Sequence, residues 1–182
     1  MTPDDALTLR DAQPSDRAFL LALYASTRAD EFVQVGWPEQ MAQAFMKMQF
    51  EAQRGDYERR YPGAVCQVVE LRQCPVGRLW VARDARSLTV LDISLIAGLR
   101  GQGIGTDCLQ RVQRDAAAAG LDVALQVVAD SPARRLYLRL GFRDVADVGQ
   151  AGVRQAMAWT PFPRASSALP AHHLKEMHHE QA

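Results

Sequence analysis

Apolar residues recur along this chain in two rhythms, and the alternation between them predicts its elements. Phe19, Leu20, Leu23 and Tyr24 repeat at three- and four-residue steps, which predicts a helix over 14–28 with Pro14 and Ser15 at its start. Trp37, Met41, Phe45 and Met48 repeat the same spacing and predict a second helix over 38–54. Its stripe is expected mostly in the core, and Gly55 and the polar run to Pro62 and Gly63 are expected to end it. Short apolar runs at 7–10, 65–71, 76–82, 88–97 and 123–128 predict strands, as do 142–148 and 153–160. Gln73, Cys74 and Pro75 read as a hairpin turn, Asp84 to Ser87 as a second turn, and Gly149 to Gly152 as the last. Two further helices are expected over 106–119 and 132–140, stopped by Gly120 and Gly141.

The order is an antiparallel meander, a strand–helix–strand crossover, then a helix and a hairpin. That predicts a mixed α+β fold. A single domain is expected over 1–162. Residues 163–182, rich in Ala, Ser, Pro and His without an apolar period, read as a flexible tail.

Composition narrows the function classes. The chain has 182 residues, 48% hydrophobic and 23% charged, enough for a substantial core. Its 21 basic and 21 acidic side chains cancel, so no broad basic footprint for nucleic acid or an anionic membrane is present. No apolar run reaches the roughly 18 residues of a membrane span, and the acidic start lacks the pattern of a signal peptide. The expectation is a cytoplasmic protein that binds neither nucleic acid nor membrane. Cys66, Cys74 and Cys108 are odd in number and far apart, which argues against a disulfide framework or a metal site. All four histidines lie in the tail, so the body of the chain has no imidazole for acid–base work.

The stretch from Arg100 to Gly105 carries the clearest chemistry. Its sequence, Arg-Gly-Gln-Gly-Ile-Gly, sits between a predicted strand and a predicted helix. Glycines let the backbone turn tightly and approach a ligand closely. The next helix presents unbonded N–H groups and its positive dipole end, an arrangement suited to phosphate. A dinucleotide site fits less well, because the first glycine of G-x-G-x-x-G is missing and the segment does not follow the first strand.

A second segment, Ala129-Asp-Ser-Pro-Ala-Arg-Arg-Leu-Tyr-Leu-Arg-Leu-Gly-Phe142, lies about one helix and one strand downstream. With Arg100, Gly103 and Gly105, it makes residues 7–160 resemble the GNAT superfamily of N-acetyltransferases. The resemblance implies a central, mostly antiparallel twisted sheet of six or seven strands flanked by about four helices. It implies acetyl-CoA as cosubstrate and a primary amine of a small molecule or protein as acceptor; a homodimer is a family-level expectation. The pyrophosphate is expected on the backbone of Gly101, Gln102, Gly103, Ile104, Gly105 and Thr106, with Arg100 at the entrance. The pantetheine arm is expected along Leu95, Ile96 and Ala97, with the Leu95 N–H near the thioester oxygen. Asp130 and Ala133 fall on positions that touch coenzyme A in relatives. Asp130 stands where many relatives carry Asn, and Ala97 where a proline is common.

Two demands fix the candidate catalytic residues. An alkyl amine with a pKa near 10.4 is neutral only about once in a few thousand molecules at pH 7, a shortage of roughly 4–5 kcal/mol. A thiolate leaving group, with a pKa near 8.5, needs a smaller amount of help from an acid. Tyr137 is the candidate acid, since the matching tyrosine serves that role in many relatives; the competing role is a core tyrosine. Asp92 interrupts an apolar strand and is the candidate for orienting or deprotonating the amine; the competing role is a structural carboxylate paired across the sheet. Glu31 and Trp37 are candidates on the acceptor side. Longer acyl-CoA donors stay open, as does a non-catalytic acyl-CoA-binding regulatory module.

Overall fold

The computed structural model describes residues 7–28, 37–145 and 154–161. These hold seven β-strands and four α-helices, the mixed composition and counts expected. They group into two compact units, one of residues 1–83 with 90–109, the other of 84–89 with 110–182. The expected tail, the turn Gly149 to Gly152 and Glu31 lie outside the described residues.

In the first unit, β1 (Leu7–Asp11), β2 (Val65–Leu71), β3 (Cys74–Arg83) and β4 (Ser87–Leu95) are hydrogen-bonded neighbours in that order. The β1–β2 and β2–β3 pairs are antiparallel. The β2–β3 hairpin turns one residue earlier than the sequence suggests, at Arg72 and Gln73. Their φ angles of 52° and 61° are those of a tight two-residue turn. Pro75, read as turn punctuation, instead pairs with Glu70 inside the ladder, where a register shift after Val69 accommodates a residue with no N–H.

A short 3₁₀ turn at Pro14–Asp16 leads into α1 (Arg17–Ser26). The turn is pinned by Asp16, which accepts from both Arg10 terminal nitrogens at 2.6 and 2.8 Å and from the Gln13 N–H at 2.7 Å. Those bonds, led by Arg10, hold the Asp16 carboxyl down at about 2.

Helix α2 (Glu39–Arg60) runs one and a half turns past the expected stop. Gly55 does not break it. The helix is anchored beyond that point by Tyr57, whose hydroxyl donates to Leu91 O at 3.1 Å and whose ring meets Trp80 edge-on at 5.0 Å. Arg59 and Arg60 suit the negative end of its dipole, and Gly63, at φ 86°, turns the chain away.

The expected core stripe on this helix is out of phase. Met41 and Met48 are 54% and 55% exposed, and Trp37 is 37% exposed with its ring edge-on to Phe45. The buried residues are Met46 and Phe50, which pack with Leu20, Tyr24 and Val68. Both stripes have helical spacing, so periodicity alone could not choose which faces the sheet.

In the second unit, β5 (Asp122–Val128), β7 (Arg154–Trp159) and β6 (Arg143–Asp144) pair antiparallel in that order, and residues 146–148 of the expected strand 142–148 lie outside the described residues. Helix α3 (Ile104–Ala119) ends at Gly120, φ 67°, where Leu121 N–H closes back on Ala116 O at 2.8 Å. Helix α4 (Pro132–Arg139) starts with Ser131 accepting from the Ala133 N–H and with Pro132 in its first turn.

Candidate active site

Strand β4, the loop after it and the start of α3 place the candidate donor-binding residues in the first unit. Leu95 ends β4, Ile96 N–H donates to Val76 O at 3.0 Å, and Ala97–Leu99 make one 3₁₀ turn. Gly101 and Gly103 then take φ angles of 76° and 89°, a region that side-chain-bearing residues rarely adopt. A Cβ at either would meet nothing within 4 Å, so these glycines serve backbone shape rather than close packing. Asp107 N–H to Gly103 O at 3.0 Å opens the helical ladder. The N–H groups ahead of it, through Thr106, are therefore the free first donors of α3. Arg100 is tied back to the strand, its Nε donating to Leu95 O at 3.0 Å, while Gln102 Nε2 reaches Gly98 O at 2.9 Å. These two bonds hold the loop in the glycine-dictated shape.

Gly77 brings β3 tightly against the end of β4. A Cβ there would lie 2.5 Å from Leu95 Cδ2 and 2.6 Å from Ser94 O. No sequence motif marks this glycine as different from the others.

Asp92 on β4 is paired with Arg78 on β3, whose Nε donates to Asp92 Oδ2 at 2.9 Å. Ser94 Oγ donates to the same oxygen at 3.1 Å. Oδ1 takes no protein donor among the described residues. Arg78 is 2% exposed and also donates through Nη2 to Gln53 Oε1 at 3.1 Å. Burial alone would pull the Arg78 pKa down, but the charge and hydrogen bond of Asp92 outweigh it and raise the value. Asp92 thus has the cross-strand partner that defines its structural role, and it keeps one oxygen free for a second partner. Arg78, Gln53 and Ser94 were not singled out from the sequence. The signal was present: Arg78 interrupts an apolar strand as Asp92 does, six residues before the turn at Asp84 to Ser87 and five after it.

In the second unit, Tyr137 lies on α4, 6% exposed, with its ring edge-on to Phe142 at 5.8 Å. Asp130 is exposed and Ala133 half-buried at the start of the same helix. Asp130, Arg134 and Arg135 line a shallow concavity of about 340 Å³ over that end. Arg134 is engaged with Asp144 at 2.6 Å. Trp37 is described at the lead-in to α2, with its ring edge-on to Phe45, and Glu31 is outside the described residues. Among the described residues no three His, Cys, Asp or Glu side chains cluster as metal ligands, and no helix is long and apolar enough to cross a membrane.

Comparison with known proteins adds to this geometry. A family model described as "Acetyltransferase (GNAT) family" matches residues 21–142. The fold is similar to that of PaiA N-acetyltransferase from Thermoplasma acidophilum, solved in complex with coenzyme A. The TM-score is 0.64 at 13% identity, over 85% of this chain and 99% of that one. An acetyltransferase from Thermus thermophilus is similar at TM-score 0.61 and 20% identity, over 85% of this chain and 97% of that one. A Corynebacterium glutamicum protein described as histone acetyltransferase HPA2 and related acetyltransferase gives 0.63 at 18%, over 88% and 99%. No curated protein matches.

Proposed function

Because the chain belongs to the GNAT acetyltransferase family, we propose that it transfers an acetyl group from acetyl-CoA to a primary amine of a small molecule or a protein. The observation that carries this reading is the loop before α3. Two positive-φ glycines with open space around them lead into unbonded helix N–H groups, a shape and charge suited to a pyrophosphate. A structural relative holding coenzyme A supports it. Acetyl-CoA supplies an activated thioester carbonyl, and the chain's own residues do the rest.

Gly101 to Thr106 hold the pyrophosphate through backbone N–H groups, and Leu95 to Ala97 offer strand edge to the pantetheine. The Leu95 N–H stabilises negative charge developing on the carbonyl oxygen. Asp92, steadied by Arg78 and Ser94 through Oδ2, uses Oδ1 to orient the amine or the water that takes its proton. The new C–N bond forms as the C–S bond breaks, and Tyr137 gives its phenolic proton to the departing sulfur. Asp130, Ala133 and the neighbouring arginines contribute to holding the donor, and Glu31 and Trp37 belong to the acceptor side. The reaction needs no metal, nucleic acid or membrane, and we place it in the cytoplasm within one catalytic domain, free to form a homodimer.

A thiol-release screen with acetyl-CoA against classes of amines tests the reading, with Tyr137→Phe and Asp92→Asn alongside. Coenzyme A release dependent on one amine class supports it. Acetyl-CoA binding without release across the panel makes the chain a binding module instead.

A further inference from the structure

A cleft of about 550 Å³ opens in the first unit, bounded by the start of α1, the second half of α2 and strands β1 to β3. It shares no residue with the segment Leu95 to Thr106. Its volume falls in the range of small-molecule sites. Leu20, Phe50 and Trp80 give it apolar walls, and Arg78 gives it a cation. All four are buried.

The buried donors there are not all used. Arg78 spends Nε on Asp92 and Nη2 on Gln53, while Nη1 has no acceptor among the described residues. Trp80 is 4% exposed, and its indole N–H is likewise without an acceptor among the described residues. A guanidinium carries five N–H donors and an indole one, and neither can accept. The indole N–H is enclosed, whereas Arg78 Nη1 is the donor left for a ligand in the cleft, where a charged acceptor makes the stronger bond. The acids of the cleft, Asp11 and Glu58, are on exposed positions at its rim, and Glu58 is held by Arg54 at 2.8 Å. The polarity therefore runs from donors within to a mouth of mixed charge, where Arg17 and Arg54 stand beside Asp11 and Glu58.

We propose that this cleft is a second ligand site, for a small organic carboxylate with an apolar body, its carboxylate on Arg78 and its body against Phe50 and Trp80. The guanidinium fork suits a carboxylate better than a neutral carbonyl. Asp11 at the rim can also meet an ammonium, which extends the class to apolar α-amino acids. The site is coupled to β4, because the guanidinium that reads the ligand also holds Asp92.

Phenylacetate, L-phenylalanine and phenethylamine are the probes, titrated into the full chain while the three tryptophan indole N–H resonances are followed. Trp80→Phe identifies the Trp80 signal. The two carboxylates are expected to shift that signal saturably and phenethylamine to leave it in place. Ala64→Phe, which fills the cleft, is expected to weaken both carboxylates about tenfold or more while acetyl-CoA binding is unchanged. If L-phenylalanine also releases coenzyme A, the ligand is the acceptor; if it binds without release, the ligand is an effector. Both results uphold the site, and neither depends on the acetyl-transfer reading. No movement of the Trp80 signal at millimolar carboxylate, an equal response to phenethylamine, or undiminished binding in a folded Ala64→Phe protein would overturn it.

Discussion

Arg78 and Asp92 face each other on neighbouring strands with Nε and Oδ2 2.9 Å apart, and only the arginine is fully enclosed. The asymmetry matters. Arg78 must keep a partner because it is buried, whereas Asp92 has some access to solvent and an uncommitted oxygen. Asp92→Leu is therefore expected to cost about 3 kcal/mol, because it leaves a buried guanidinium without its carboxylate. Arg78→Met, which leaves a carboxylate that solvent partly reaches, should cost less, about 1–2 kcal/mol. The Arg78→Met/Asp92→Leu double variant should recover most of the larger loss. Urea denaturation of all three measures the coupling, and additive effects would show that the pair acts as two separate residues.

Gly77→Ala and Gly103→Ala separate close approach from backbone shape. The first puts a methyl into Ser94 O and Leu95, so it should destabilise by about 2 kcal/mol and displace the end of β4. The second meets no atom and only strains φ, so it should cost about 1 kcal/mol. Both are expected to weaken coenzyme A binding, which calorimetry checks directly.

Tyr137→Phe keeps the ring that packs on Phe142 and removes the phenolic hydroxyl. Stability should change by no more than about 1 kcal/mol. Turnover should fall by about tenfold or more with acetyl-CoA affinity intact. Undiminished turnover would reduce Tyr137 to a core residue.

Asp16 gives the first unit a dependence on acid. Its carboxyl is at about 2 in the fold against an ordinary 3.8, so the stability it contributes is complete above the unfolded value. That contribution is lost as the pH falls from about 4 towards 2. Arg10→Met should remove most of it, about 1 kcal/mol after allowing for the partial exposure of the arginine. Thermal melts at pH 3 and 7 should then show a smaller difference in the variant than in the parent protein.

Much of this fold is legible in the sequence, and the parts that are not share a cause. Gly120 and Gly141 are legible as helix stops, since a left-handed residue after the last turn is a local requirement. Gly55 was not a stop, because Tyr57 and its tertiary contacts with Leu91 and Trp80 outweigh the cost of one glycine in a helix. The donor loop was visible because its chemistry is carried by consecutive residues. The Arg78–Asp92–Gln53 cluster was not, because it gathers side chains from two strands and a helix, and only the register brings them together.

The three cysteines differ in a way that has practical weight. Cys108 is fully buried, and burial pushes the half-buried Cys66 thiol up to about 11. Cys74, next to the β2–β3 turn, is exposed. At neutral pH the thiolate is the form that attacks maleimides and chromogenic disulfides, so Cys74 is the one that reacts readily. Each chain then adds one fast thiol to the background of a coenzyme A release assay, and Cys74→Ser removes it. The same residue gives a single attachment point for a fluorophore, at a turn remote in sequence from the donor loop.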